Sequence, residues 1–194
     1  MLNIAVFASG RGSNFEALHH AIDDQKIPAK IVVVISNNSS SGALTLAQSF
    51  KIPAFHISQR QFSDPDGLRQ KILETLRSCN VNFIVLAGYM KKLDPAITRA
   101  FPNRIINIHP ALLPKYGGEG MFGMNVHNAV IAAKETESGA TVHFVNEEYD
   151  EGAIIAQQKV SITVNDTPET LAAKVLIAEH ELLPAVVKMF SEKI

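Results

Sequence analysis

Residues 104–110, Arg104-Ile105-Ile106-Asn107-Ile108-His109-Pro110, combine an apolar run typical of a buried strand with two polar side chains. Side chains alternate between the two faces of a strand, so Asn107 and His109 point to the same face and can act on one small group. Pro110 has no backbone N–H for strand pairing, which predicts that the strand ends and a loop begins here. We therefore expect an amide and an imidazole side by side at the carboxyl end of a strand. Taken alone, the pair also fits an asparagine that caps a turn and a histidine in the core.

This stretch belongs to a series of strand-like runs that alternate with helix-like segments, a pattern typical of a parallel sheet with helices on its faces. The predicted strands are Leu2–Phe7, Ile31–Ile35, Ala54–Ile57, Asn82–Ala87 and residues 104–109, and the predicted helices between them are Phe15–Ile22, Ala43–Phe50 and Asp66–Leu76. Two further strands, Ala140–Val145 and Ile154–Val160, predict an antiparallel pair, and a last helix is expected from Thr167 or Pro168 to about Glu192. The fold class is therefore α/β, with a mostly parallel twisted sheet and an antiparallel pair in the C-terminal half.

Composition narrows the kind of protein. The chain has 194 residues, 46% hydrophobic and 19% charged, which predicts one globular domain over residues 1–194. Its net charge of −1 favours small-molecule substrates over nucleic acid or membrane partners. The single cysteine, Cys79, excludes an intrachain disulfide, and the histidines lack metal-ligand spacing, so no metal is expected. The chain has no long apolar segment or basic leader, which predicts a cytoplasmic protein.

The loop after the first strand reads Gly10-Arg11-Gly12-Ser13-Asn14 and leads into the first helix. Glycines let backbone N–H groups turn toward a bound anion, and the helix dipole also favours negative charge at this end. Phe15 stands where a dinucleotide-binding fingerprint requires a third glycine. The loop therefore predicts a site for the phosphate of a mononucleotide or sugar phosphate, with a glycine-rich turn that binds no ligand as the alternative.

Two segments of the second half are candidates for a site. Asp150 lies in the acidic segment Glu147–Glu151, before Gly152 and between two predicted strands, although such segments are usually solvated charged turns. Residues 116–124 contain four glycines, which predicts either a mobile loop over a site or a passive surface excursion.

Four segments in this order resemble the phosphoribosylglycinamide formyltransferase family, folate enzymes of purine synthesis: Ser9–Asn14, Leu86–Met90, Asn107–Pro114 and Asp150 with Gly152. The resemblance covers essentially the whole chain and implies the Rossmann-like formyltransferase fold. It implies transfer of the formyl group of 10-formyltetrahydrofolate to the amine of 5-phosphoribosylglycinamide. The products would be formylglycinamide ribonucleotide and tetrahydrofolate, in de novo synthesis of IMP, and no metal would be needed.

The resemblance also implies which residues act. The catalytic residues would be Asn107, His109 and Asp150. The ribonucleotide would be bound by Gly12, Ser13, Asn14, Leu176 and Glu179. The folate would be bound by Met90, Lys91, Lys92, Leu93, Asn107, Asn146, Glu147, Glu148, Tyr149 and Asp150. Residues 1–100 would form a phosphate-binding half, and residues 101–194 a catalytic and folate-binding half.

Formyl transfer places negative charge on the former carbonyl oxygen of a tetrahedral intermediate, which requires hydrogen-bond donors already in place. Asn107 offers an amide N–H, and we expect Asp150 to favour a protonated His109 as the second donor. The chain departs from the family pattern in its longer glycine-rich run and in Lys91, where an arginine is common. Pro65 stands opposite a second family arginine, so that folate contact is unassigned.

Three alternatives remain open from the sequence. Methionyl-tRNA formyltransferase and formyltetrahydrofolate hydrolase share a similar core, but each adds a domain for which 194 residues leave no room. A non-catalytic folate- or nucleotide-binding module would carry an idle site. The sequence is compatible with a monomer or a homodimer.

Overall fold

The structure is a computed structural model that describes residues 1–24 and 26–193. Its strands are β1 (Leu2–Phe7), β2 (Ala29–Ser36), β3 (Ala54–His56), β4 (Phe83–Leu86), β5 (Ile105–His109), β6 (Glu137–Phe144) and β7 (Ile154–Ser161). Its helices are α1 (Ser13–Asp24), α2 (Gly42–Ser49), α3 (Pro65–Ser78), α4 (Pro95–Ala100), α5 (Met124–Ala132) and α6 (Pro168–Ser191), with a short 3-10 helix at Gln59–Gln61. In the described chain, none of the helices is both long enough and apolar enough to cross a membrane.

The strands form one sheet of seven in the order β3-β2-β1-β4-β5-β6-β7. Strands β1 to β5 pair in parallel, whereas β6 pairs antiparallel with both β5 and β7. The predicted α/β sheet with an added antiparallel pair is therefore confirmed. The chain leaves β1 toward β3 and returns to place β4 on the other side of β1. Ligands of such sheets bind at the carboxyl ends of the strands where the order reverses, which here lies between β1 and β4.

Hydrophobic side chains cover both faces of the sheet. On β1, Ile4 and Val6 pack in a buried cluster with residues of α1 and α6, whereas Phe7 joins a second cluster with residues of α3. All three side chains are fully buried. Burial of a large apolar side chain contributes about 1.5–3 kcal/mol, so the alternation along β1 ties helices to both faces. The central strands therefore form a rigid base for the loops at their carboxyl ends.

The helix boundaries correct two expectations. Helix α1 begins at Ser13 rather than Phe15, because Gly12 has a φ of 87° and its carbonyl accepts the first helical hydrogen bond, from Glu16 N–H, at 2.9 Å. Helices α4 and α5 were not predicted. Helix α4 has only 6 residues, with Asp94 as its cap, and α5 begins within the glycine-rich run at Met124.

Candidate active site

Pairing between β5 and β6 brings the amide of Asn107 to an unexpected partner. Asn107 lies opposite His143 in the antiparallel register, so the two side chains share a face. Asn107 Nδ2 lies 3.0 Å from His143 Nε2 and 3.5 Å from Asp150 Oδ1. His143 Nδ1 lies 2.8 Å from the Phe144 carbonyl oxygen, which can only accept, so Nδ1 carries a proton. The other ring nitrogen, Nε2, lies between the Asn107 amide and Asp150.

His109 is buried, with 3% of its surface exposed. Its Nε2 donates to the backbone carbonyl of Tyr116 at 2.8 Å, and its Nδ1 lies 3.6 Å from Asp150 Oδ2. Burial lowers the pKa of His109 below its ordinary value, and this effect outweighs the opposing effects of the Asp150 carboxylate and the Tyr116 carbonyl. The expectation that Asp150 keeps His109 protonated is therefore wrong. At neutral pH the ring is neutral, with its proton on Nε2.

Asp150 lies in the loop between β6 and β7, in a left-handed backbone conformation with a φ of 56°. Its Oδ2 accepts a hydrogen bond from Gly118 N–H at 2.9 Å, and its Oδ1 lies 3.4 Å from His143 Nε2. Burial, the largest single effect, raises the pKa of Asp150, but His143, His109 and Gly118 together lower it below its ordinary value. The carboxylate is therefore ionised at neutral pH and lies between two imidazoles.

Residues 116–118, the first part of the glycine-rich run, lie across His109 and Asp150. Tyr116 O and Gly118 N–H bind His109 and Asp150, and the Tyr116 hydroxyl donates to Glu135 Oε1 at 2.9 Å. A Cβ at Gly117 would come within 2.6 Å of Leu113 Cδ2 and 3.2 Å of Asp150 Cβ. A side chain at this position would displace the end of the Leu113 side chain and crowd the Cβ of Asp150. The segment therefore covers the catalytic candidates directly.

Sequence reasoning missed His143 and the threonine beside it. Thr141, fully buried, donates to the Ala111 carbonyl at 2.6 Å and accepts from Leu113 N–H at 3.1 Å, which fixes the loop after β5. Alternation along β6 predicts that residues 141 and 143 share a face, but their partners depend on a register that the sequence does not encode locally.

The residues expected at the ribonucleotide come together at the start of α1. Gly12 packs on α2 so closely that a Cβ would lie 2.8 Å from Ala43 Cα. Ser13 and Asn14 open α1, where backbone N–H groups have no acceptor within the helix. Asn14 Nδ2 donates to Glu179 Oε2 on α6 at 3.3 Å. The buried Asn14 Oδ1 has no hydrogen-bond partner within the part of the chain that the structure describes.

Glu179 is a buried carboxyl group, 7% exposed, with Leu176 one turn earlier on the same helix. Burial raises the pKa of Glu179 to about 7, and the hydrogen bond from Asn14 only partly opposes this. The side chain is therefore poised between its neutral and ionised forms near neutral pH.

The residues expected at the folate form two contacting segments. Met90–Leu93 follows β4, and Lys92 Nζ lies 3.3 Å from Glu148 Oε2 and 5.4 Å from the centre of the Tyr149 ring. Leu93 is buried in the core, whereas Met90 and Tyr149 are exposed. Asn146 Oδ1 accepts from Glu148 N–H, and Glu147 pairs with Arg99. Beside them is a cleft of about 750 Å³ whose lining includes Arg60, Pro65, Arg69, Lys91 and Lys92.

Comparison with known proteins identifies the family. Residues 2–187 match the family described as Formyl transferase. The chain belongs to the formyl transferase family. This formyl transferase is 43% identical over 191 residues to a protein of Arabidopsis thaliana named phosphoribosylglycinamide formyltransferase, chloroplastic, and the match covers 98% of this chain. It is 42% identical to a Haemophilus influenzae protein named phosphoribosylglycinamide formyltransferase, over 99% of this chain and 88% of that protein.

Solved structures agree with this assignment. Glycinamide ribonucleotide transformylase 1 from Symbiobacterium toebii superposes with a TM-score of 0.92 at 33% identity, covering 100% of this chain and 89% of that one. Phosphoribosylglycinamide formyltransferase from Coxiella burnetii gives a TM-score of 0.91 at 38% identity, covering 99% and 88%. This formyl transferase chain spans 65% and 61% of the length of its Arabidopsis and Vigna unguiculata relatives.

Proposed function

We propose that this formyl transferase transfers the formyl group of 10-formyltetrahydrofolate to the amine of 5-phosphoribosylglycinamide, a step of de novo purine synthesis. The observation that carries the proposal is the cluster of Asn107, His109 and Asp150, held together by the end of β5 and the loop after β6. An amide donor, an imidazole and a carboxylate are what transfer of an acyl carbon to an amine requires. The named relatives support the choice of substrates.

In the proposed mechanism the amine attacks the formyl carbon, the new C–N bond forms, and the carbonyl electron pair moves to oxygen. Asn107 Nδ2–H and His109 Nε2–H are the donors for that oxyanion. A neutral His109 suffices for this hydrogen bond, provided that its Nε2–H exchanges the Tyr116 carbonyl for the oxyanion.

A proton must then leave the attacking amine. The free lone pair of neutral His109 is on Nδ1, which faces Asp150, so the carboxylate takes the proton from the amine and passes it to Nδ1, and the imidazolium that forms stays paired with Asp150. The intermediate collapses when the bond from the formyl carbon to the folate nitrogen breaks. The proton passes to that nitrogen, which leaves tetrahydrofolate and returns His109 to its neutral state.

The two substrates are proposed to bind on either side of this cluster. Gly12, Ser13 and Asn14 would hold the phosphate with backbone N–H groups, and Leu176 and Glu179 would contact the rest of the ribonucleotide. The unpaired Asn14 Oδ1 and the poorly solvated Glu179 carboxyl support this assignment, because a polyhydroxylated ligand would satisfy both.

The folate would lie between the residues of the segment after β4 and those of the loop after β6. Met90, Lys91, Lys92 and Leu93 form one side, and Asn146, Glu147, Glu148, Tyr149 and Asp150 form the other. The cations Arg60 and Lys91 in the adjacent cleft support a co-substrate that carries carboxylates, whereas Arg69 in the same cleft is paired with Asp66 and Asp94.

The proposal also covers the domain organisation of the protein, its partners and its location. We propose a single domain, with residues 1–100 contributing the phosphate loop and residues 101–194 the catalytic cluster. Its partners are the two small-molecule substrates and, in a homodimer, a second copy. The cytoplasmic location stays a prediction, and the plant relatives are named chloroplastic.

The test is an assay of the purified protein with 5-phosphoribosylglycinamide and 10-formyltetrahydrofolate, with identification of both products. We expect formylglycinamide ribonucleotide and tetrahydrofolate in equal amounts. Tetrahydrofolate with formate, and no formylated ribonucleotide, would assign a hydrolase instead. Binding of either ligand without any product would leave only a binding module.

A further inference from the structure

Ser9 joins three loops at the carboxyl ends of neighbouring strands. It lies two residues after the end of β1 and directly before the glycine loop, and it is 7% exposed. Its hydroxyl donates to Asn37 Oδ1 after β2 at 2.5 Å and accepts from Met90 N–H after β4 at 2.8 Å. One hydroxyl group therefore holds two loops that belong to different strands.

The backbone of Ser9 is held by the same two loops. Its N–H donates to the Gly88 carbonyl at 2.9 Å, and its carbonyl accepts from Asn38 Nδ2 at 3.3 Å. All the polar groups of this residue are thus committed to the loops after β2 and β4. Because these bonds fix both the backbone and the side chain, a displacement of Ser9 moves both loops.

The glycine loop, which follows Ser9, packs closely against α2 and has little room to move. Gly10 O accepts from Ala43 N–H at 3.2 Å, and Gly12 lies against the backbone of the same residue. A shift of the glycine loop toward a bound phosphate is therefore transmitted to Ser9 rather than absorbed. In the other direction, Met90 precedes Lys91, which lines the 750 Å³ cleft together with Asn37.

We propose that Ser9 is a positioning residue that couples the two substrate subsites, so that occupation of the glycine loop by the ribonucleotide changes the affinity of the cleft for folate. This proposal rests on the proposed function for the identity of the two ligands. In this proposal the Ser9 hydroxyl fixes the distance between the two subsites, a role that neither subsite requires by itself. Coupling of this kind is reciprocal, so the folate must change the affinity for the ribonucleotide by the same factor.

The neighbouring strand offers a matched control. Ser36 is also buried, and its hydroxyl also makes two hydrogen bonds, but both are to Asn38 within its own loop. Ser36→Ala therefore removes a buried hydroxyl of the same kind at the same edge of the sheet and leaves both hydrogen bonds of the Ser9 hydroxyl in place. A general loss of packing or stability would affect both variants alike.

The experiment is calorimetric titration of the full chain with tetrahydrofolate, alone and with saturating 5-phosphoribosylglycinamide, a pair that cannot react. For the wild type we expect the two dissociation constants to differ by at least about fivefold, the lower end of usual coupling between sites. In Ser9→Ala the ratio should fall to within about twofold of unity, whereas Ser36→Ala should keep the wild-type ratio. If Ser9→Ala proves too unstable, Ser9→Cys offers only a weak donor and acceptor and should lose the coupling as well.

Three results would overturn the proposal: a wild-type ratio near unity, an unchanged ratio in Ser9→Ala, or an equal loss in Ser36→Ala. Failure of the proposed function is distinguishable, because the wild-type protein would then form no formylglycinamide ribonucleotide in the product assay, whatever the binding titrations show. A wild type that forms both products while Ser9→Ala keeps its coupling would refute the positioning role alone.

Discussion

Two carboxyl groups of the candidate site differ in their depth of burial and in the groups around them: Glu179 is buried, whereas Asp150 is only partly buried. Burial raises the pKa of both Asp150 and Glu179. Asp150 has two imidazoles and a backbone N–H around it, and these bring its pKa below the ordinary value. Glu179 has one amide donor at 3.3 Å, and its pKa stays near 7. The depth of burial and the groups around each carboxyl group together therefore decide which of the two is charged.

The difference matches the two tasks proposed for these groups. A carboxylate that must stabilise a transient imidazolium has to be charged before the reaction begins, so its donors are built into the protein. A carboxyl group that waits for a ligand can leave its hydrogen bonds for that ligand to complete.

Removal of either proposed oxyanion donor should have the largest effect. Asn107→Ala and His109→Ala should each lower kcat by about 10²- to 10³-fold, since one preorganised donor contributes about that factor. Steady-state kinetics and circular dichroism measure the rate and the fold. His20→Ala, a change at an exposed histidine of α1, should keep near-normal turnover. Near-normal turnover in His109→Ala would contradict the mechanism.

Asp150→Asn keeps the size of the side chain but removes its charge. The Asp150 carboxylate raises the pKa of His109 against the effect of burial, so its loss should lower that pKa further. NMR titration of the His109 ring should show this downward shift. We also expect kcat to fall by about 10²-fold, the lower range for proton transfer by a positioned side chain. An unchanged His109 titration would contradict the assigned role of Asp150.

Glu179→Gln should change the pH dependence of stability. The pKa of Glu179 is about 7 in the folded protein and about 4.5 when exposed, so the folded state holds the extra proton between these values. The unfolding free energy of the wild type should therefore fall as pH rises from 5 to 8, by up to about 3 kcal/mol. Urea denaturation at both pH values measures this. Glu179→Gln should lose that slope, and an equal slope in both proteins would disprove the raised pKa.

Tyr116→Phe should have the smallest effect. It removes the hydroxyl bond to Glu135 but keeps the Tyr116 carbonyl that accepts from His109. We expect a loss of about 0.5–1.5 kcal/mol in unfolding free energy, the usual range for one hydrogen bond. The NMR titration of His109 should not change, because its partner is the backbone. A clear shift would show that the hydroxyl also positions the carbonyl.

Much of the architecture follows from local patterns. The apolar runs predicted the strands and the mostly parallel sheet, and alternation placed Asn107 and His109 on one face. Helix α4 escaped prediction because 6 residues carry almost no periodic signal. The beginning of α5 was hidden by the glycines before it.

The electrostatic state of the site could not be predicted from spacing. His143 became part of the cluster only through the β5–β6 register, and the neutral form of His109 depends on how completely the fold buries it. The raised pKa of Glu179 likewise depends on which groups of α1 face α6. These properties are set by contacts between residues far apart in the chain, which no local pattern contains.

Because β5 and β6 pair antiparallel, the loop before α5 and the strand β6 differ in how well they tolerate insertions and deletions. This applies both to homologues and to engineered variants. An added or deleted residue between Gly118 and Gly123 falls outside the strands and helices and shifts no strand register. The same change within β6 would turn His143 and Thr141 to the opposite face of the sheet. We therefore expect homologues to vary in length before α5 and to keep the length of β6. A library that varies loop length should be made only in the segment before α5.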